Sequence, residues 1–131
     1  MGDLSTHFSS DEFRCKCGCG ICRVSPVLLE KLERLRNTYR NPIEINSGCR
    51  CPDHNKRVGG KPNSSHITTN AKPCEAADIR IVDGKQMHDL LGIIMFYKLF
   101  YRFGVGTNLL HVDVSSDSPT PAIWGYASPK K

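Results

Sequence analysis

The sequence predicts a single small α+β domain: an antiparallel sheet with two main helices and a long functional loop. Two stretches repeat apolar residues at helical spacing, Leu28/Leu32/Leu35/Tyr39 and Met87/Leu90/Leu91/Ile94. Several short segments alternate apolar and polar residues as strands do, and the last two lie close together in the chain. At 131 residues there is room for one hydrophobic core, so residues 1–131 form one domain that includes the cysteine-rich loop 15–22. An apolar fraction of 39% with 24% charged residues is that of a folded globular chain and excludes wholesale disorder.

In chain order, Ser9 with Glu12 three residues later predicts a short capped helix or turn to Phe13. The cysteine-rich loop follows. Ser25-Pro26 is a strong helix start, because serine caps and proline suits the first turn, and the helix runs to about Tyr39. Ile43 and Ile45 alternate as in a short strand. Ser47 to Ser65, polar and rich in Gly, Pro and Asn, reads as a long loop, a feature that in a small domain usually carries function. Ala76 to Val82 is a strand with Ala77, Ile79 and Ile81 on one face and Asp78 and Arg80 on the other. Asp83 caps the second helix, which buries Met87, Leu90, Leu91 and Ile94, with Leu99 beyond it. Phe103–Val105, Leu110–Val114 and Ala122–Tyr126 complete the strands.

Lysine and arginine exceed aspartate and glutamate by 18 to 13, and the net charge of +5 favours an anionic partner without choosing one. The longest apolar stretch, Leu90 to Phe96, contains a glycine and is too short to span a membrane, so no membrane insertion is expected. Met1 to Ser10 is polar and holds no apolar signal region, so synthesis in the cytoplasm without a signal peptide is expected. Seven cysteines cannot all pair internally.

The most informative segment is His111-Val112-Asp113-Val114. On a strand, His111 and Asp113 share one face and the valines turn to the core. Asp78 repeats the pattern on another strand, and a half-buried carboxylate needs a cation or several donors. His66 closes the long loop. Each of these alone reads as an ordinary polar residue; together, two imidazoles and a carboxylate with an open fourth position are an arrangement that binds catalytic zinc.

An ordered series of motifs carries a resemblance. It comprises Ser47-Gly48-Cys49-Arg50-Cys51-Pro52, His54-Asn55, Val58-Gly59-Gly60, Asn63-Ser64-Ser65-His66, Ala76-Ala77-Asp78-Ile79, Gly104-Val105-Gly106 and His111-Val112-Asp113-Val114. From about Phe8 to Tyr126 the chain resembles the D-Ala-D-Ala carboxypeptidase family of zinc peptidases, and within it the small peptidase domains of phage endolysins and bacterial cell-wall enzymes. The resemblance implies one catalytic zinc held by His66, Asp78 and His111. It implies that Arg50 stabilises the oxyanion and that Ser64 contacts substrate. The substrate it implies is the stem peptide of bacterial peptidoglycan, cut as a D,D-carboxypeptidase or an endopeptidase by a monomer that reaches the cell wall after release.

Two departures stand out. The family places its aspartate seven positions after the first histidine, whereas Asp78 follows His66 by twelve; Thr69 to Pro73 looks like an insertion, and Cys74 stands where the motif has glycine. Several branches carry a catalytic carboxylate three residues before the last histidine, where this chain has Asn108. Asp113 is the best substitute, either as general base or as support for the His111 ligand, with Glu75 next in line.

Cys15, Cys17, Cys19 and Cys22, with Cys49 and Cys51, suggest a staple between the N-terminal loop and the loop of Arg50, as a second, structural zinc or as disulfides, with free thiols the other alternative. Only Cys19 and Cys22 have C-x-x-C spacing. The competing functional reading is a non-enzymatic cysteine-rich zinc-binding module for nucleic acid or cell wall. It leaves Arg50, His66, Asp78 and His111 unexplained, and the chain lacks the interleaved aromatic and basic residues of a single-strand binder, so no nucleic-acid partner is expected.

Overall fold

The computed structural model describes residues 2–115 and 117–126. Four helices, α1 (Ser10–Phe13), α2 (Pro26–Tyr39), α3 (Pro52–Arg57) and α4 (Gly84–Tyr97), combine with five strands: β1 (Ile45–Ser47), β2 (Ala76–Arg80), β3 (Arg102–Val105), β4 (Leu109–Asp113) and β5 (Ala122–Gly125). The fold is α+β, with one sheet in the order β1-β2-β4-β3-β5.

The helix signals act as their chemistry dictates. Ser25 Oγ accepts from the Leu28 N–H at 3.3 Å at the start of α2, and Asp83 accepts from Gln86 N–H at 2.8 Å at the start of α4. The Glu12 side chain accepts from the Ser9 N–H at 3.0 Å, closing half of a capping box on α1. Leu28, Leu32 and Leu35 of α2 and Leu90 and Ile94 of α4 are buried and meet Ala77, Ile79, Phe103, Leu110 and Val112 of the sheet in one core. The opposite sheet face is thereby left to polar side chains at alternate positions: Asp78, Arg102, His111 and Asp113.

Two expectations are corrected. The stretch from Ser47 to Ser65 is not all loop: α3 lies inside it, begun by Pro52 at the first turn and capped by Cys51, whose sulfur accepts from the His54 N–H at 3.3 Å. Six residues carry too little apolar periodicity to announce a helix. The sheet is antiparallel except at one edge, where β5 runs parallel to β3. Both edges of β4 are occupied, by β2 and by β3, and β5 takes the free edge of β3. Because Asp113 at the end of β4 lies opposite Arg102 at the start of β3, a short link returns the chain to that same end, and β5 then runs alongside β3 in the same direction.

β2 and β4 pair over their full lengths, with Asp78 opposite His111 and Ala77 opposite Val112. The five extra residues between His66 and Asp78 do not disturb this register. They form a turn closed by the Thr69 N–H to the Lys72 carbonyl at 2.9 Å. Arg23 Nη1 binds the carbonyls of Thr69 and Asn70, and Cys74 forms a bridge with Val24.

Candidate metal centre

Each donor arrives from a different stretch of chain. His66 is buried in the segment that pairs with Arg50, whose N–H donates to the His66 carbonyl at 2.9 Å while the Thr68 N–H donates to the Arg50 carbonyl at 2.7 Å. Asp78 sits on β2 and His111 on β4, directly across from it. Ligand atoms of the three lie within 4.8 Å of one another.

The hydrogen-bond partners define what the cluster needs. His66 Nδ1 lies 2.7 Å from the Gly48 carbonyl, which can only accept, so this nitrogen carries the proton. His111 Nε2 lies 2.8 Å from Asp113 Oδ2, so here too the outer nitrogen carries a proton. The inner nitrogens, His66 Nε2 and His111 Nδ1, both face Asp78 Oδ1, at 3.2 and 2.9 Å. With neutral rings, three lone pairs converge on one point, an arrangement that a proton or a metal ion relieves. Ligands at zinc bonds of about 2.0–2.1 Å in a tetrahedron stand about 3.3 Å apart, close to the separations found, and two nitrogens with one oxygen are a donor set that suits zinc.

The ionisation equilibria follow. Burial works against charge on His111, but its hydrogen bonds to Asp113 and Asp78 and their charges outweigh it and push its pKa up to about 8. Burial would raise Asp78, yet the His66 charge and the hydrogen bonds from both histidines hold its carboxyl well below the usual range. Asp113 is likewise lowered: the His111 hydrogen bond and charge, then Arg102, overcome its burial.

Arg50 stands beside these donors. Its Nη2 is 3.6 Å from Asp78 Oδ2, and its Nη1 donates to Asn55 Oδ1 at 3.2 Å. Asn55 is buried on α3 and donates in turn to the Lys61 carbonyl at 2.9 Å, so the guanidinium is held from behind. Ser64 Oγ accepts from the His66 N–H at 3.1 Å and shapes the turn that delivers the ligand.

Asp113 is buried behind His111. Its carboxylate accepts from His111 Nε2, from Arg102 Nε at 2.7 Å and from the Ser115 N–H at 3.2 Å. It therefore faces the ring nitrogen that points away from Asp78, the placement of a carboxylate that orients a ligand and not of a free base. Glu75 is also off this cluster: its Oε1 is buried without a hydrogen bond, 3.8 Å from Lys72 Nζ, and burial raises its pKa. Asn108 is exposed in the β3–β4 turn.

Trp124 and Tyr126 were legible only as strand residues. In the register Gly104 separates His111 from Trp124, and a Cβ there would come within 2.3 Å of the indole nitrogen. The bare glycine lets the indole reach His111, at 5.4 Å between ring centres, with the Arg102 guanidinium 5.0 Å over the same indole. Tyr126 lies within electrostatic reach of Asp78 and Arg50. The signal in the sequence is the alternation of Ala122 and Trp124 along β5, continued by Tyr126 just beyond it.

The six cysteines considered for a staple do not form one group. Cys15, Cys17, Cys19 and Cys51 bring their sulfurs together. Cys22, Cys49 and Cys74 lie apart from them: the Cys22 thiol donates to the Ser10 carbonyl at 3.6 Å, Cys49 Sγ accepts from the Arg23 N–H at 3.4 Å, and the Cys74 thiol donates to the Ala76 carbonyl at 2.9 Å. The C-x-x-C pair is thus divided between the two groups.

The family model for Peptidase M15 matches residues 6–113, most of the chain and every donor named above. The chain belongs to this family, the D-Ala-D-Ala carboxypeptidase family of zinc peptidases. No curated protein and no solved structure matches it. Membership in Peptidase M15 supports a peptidase over the cysteine-rich binding module. Among the described residues, no helix is long and apolar enough to cross a membrane.

Proposed function

We propose that the protein is a zinc metallopeptidase that hydrolyses peptide bonds in the stem peptides of bacterial peptidoglycan, in the manner of an endolysin. The observation that carries this reading is the convergence of His66 Nε2 and His111 Nδ1 on Asp78 beside the Arg50 guanidinium, in a chain of the Peptidase M15 family. His66, Asp78 and His111 would hold the zinc. When bound, zinc supplies Lewis acidity, acidifying water and polarising the carbonyl of the scissile bond.

The remaining work falls to this chain's own side chains. Arg50, anchored through Asn55, offers its guanidinium to the negative charge that develops on the carbonyl oxygen. Asp113 holds the proton on His111 Nε2 in place, which keeps Nδ1 turned towards Asp78. Its role is to position His111, in preference to acting as general base. Ser64 places His66 through the backbone, and its contact with substrate is part of the proposal. The +5 charge favours residence on an anionic wall, the proposed place of action after release from the cytoplasm.

Digestion of purified peptidoglycan, with mass spectrometry of the products, tests the proposal. Loss of a terminal D-Ala identifies a carboxypeptidase and separation of cross-linked stems an endopeptidase; either activity should vanish with a chelator and return with zinc. Unaltered muropeptides after incubation with the zinc-loaded protein would reject the substrate assignment.

A further inference from the structure

The four thiols of Cys15, Cys17, Cys19 and Cys51 lie within 4.8 Å of one another, outside the His–Asp cluster. Three come from one short loop and the fourth from the residue that follows Arg50. The separations are informative: Cys15 Sγ to Cys17 Sγ is 3.5 Å, and Cys17 Sγ to Cys51 Sγ is 3.7 Å. A disulfide requires about 2.05 Å. Four sulfurs around a zinc ion with bonds of about 2.3 Å stand about 3.8 Å apart at the corners of a tetrahedron. The observed spacing is that of ligands around an ion.

The backbone points the same way. The Cys51 N–H donates to Cys15 Sγ at 3.4 Å and the His54 N–H to Cys51 Sγ at 3.3 Å. The sulfurs of Cys15 and Cys51, one from each side of the cluster, therefore accept from amides. A neutral thiol is a weak acceptor, whereas a thiolate makes a charge-assisted bond. The chain between Cys17 and Cys19 turns through Gly18 at φ 90°, which brings the third sulfur back to the other two.

We infer that Cys15, Cys17, Cys19 and Cys51 bind a second zinc ion in a closed, four-thiolate structural site. With all four positions filled by the protein, no position remains for substrate. The site joins the N-terminal loop to the residue that caps α3, and α3 carries the Asn55 that holds Arg50. Its ion would thereby fix the reach of Arg50 without taking part in the chemistry.

Cobalt in place of zinc, loaded into the full chain, tests this without relying on activity. Thiolate ligands give intense charge-transfer absorption in the near ultraviolet, which histidine and carboxylate ligands do not. The wild-type chain and His66→Ala are both expected to show the band. Cys17→Ser should weaken the band by about a quarter if three thiolates keep the ion, or lose it together with one metal ion by native mass spectrometry. A wild-type chain without the band, or Cys17→Ser with the band intact, overturns the inference; so does iron as the metal recovered from the purified protein. A wild-type chain that shows the band but binds only one ion leaves this inference standing and counts against the His66, Asp78 and His111 site. Should Cys17→Ser fail to fold, alkylation of the wild type decides. Zinc should shield these four cysteines and a chelator expose them, and equal labelling in both states overturns the site.

Discussion

Asp113 accepts from three donors, His111, Arg102 and the Ser115 N–H, and that occupancy leads to a prediction about zinc rather than turnover. In Asp113→Asn the shape survives, but the charge that holds His111 and Arg102 is gone. Loss of such a supporting carboxylate weakens metal binding by about 10–100-fold. The variant should therefore need more zinc, as read by chelator competition, and recover most of its kcat once saturated. Failure to recover at saturating zinc would restore Asp113 as the base. His111 adds a pH dependence. Its pKa is raised from 6.5 to about 8 in the metal-free fold, so the stabilisation from its charged ring is complete below pH 6.5 and is lost as pH rises through about 8. Zinc must displace that proton. Apparent zinc affinity should climb from pH 6.5 to about 8 and level off above; a flat profile would remove His111 from the ligands. Arg50→Lys keeps a charge but not the fork that engages Asn55 while reaching past Asp78. A fall in kcat of about 10²-fold or more with a smaller change in KM is expected, the scale of losing an oxyanion donor. A raised KM at unchanged kcat would make Arg50 a binding residue.

Strand β3 lies between the ligand strand β4 and the aromatic strand β5, and Gly104 is where they approach most closely. Adding a methyl group there places carbon 2.3 Å from the Trp124 indole nitrogen, a contact that the rigid ring relieves only by moving. Gly104→Ala should cost about 1–3 kcal/mol, as overpacking does. Trp124 is the chain's one tryptophan, so its fluorescence reports the displacement directly. Unfolding in denaturant gives the energy; an unchanged emission maximum together with unchanged stability would show that the indole does not rest on Gly104. Helix α3 acts by a different route. It contributes one buried residue, Asn55, and its task is to hold Arg50 and the 61–66 turn, which makes it a positioning element more than a core element.

The sheet separates two tasks across its thickness. One face joins α2 and α4 in the apolar core, and the other presents Asp78, His111 and Asp113. Rigidity at the centre follows, because β2 and β4 each have neighbours on both sides and their inward residues Ala77, Ile79, Leu110 and Val112 have no exposed surface. Hydrogen exchange should be slowest at these amides and faster in the 69–73 turn. Exchange at Asp78 and His111 as fast as in that turn would contradict a ligand pair preorganised by the sheet. With the metal of the His66, Asp78 and His111 cluster removed, the sheet should stay folded, since the core does not pass through that cluster.

Local chemistry made much of this protein legible in advance. Both long helices, their caps and the strand faces follow from periodicity and capping residues, which act within a few positions of chain. His66, Asp78, His111 and Arg50 stand in ordered motifs of the sequence, and the turn at 69–73 accommodates the twelve-residue spacing between the first two. Other features depend on which distant segments meet. That β5 runs parallel to β3 follows from the end of β4 lying opposite the start of β3. The place of Asp113 behind the ring, Trp124 over Gly104 and Asn55 behind Arg50 are likewise products of register. The cysteines show the limit most clearly: neighbours at 19 and 22 part company, while 15, 17 and 19 join 51. Sequence spacing specifies which residues share a face of one element; the pairing of elements remote in the chain decides which atoms come within bonding distance.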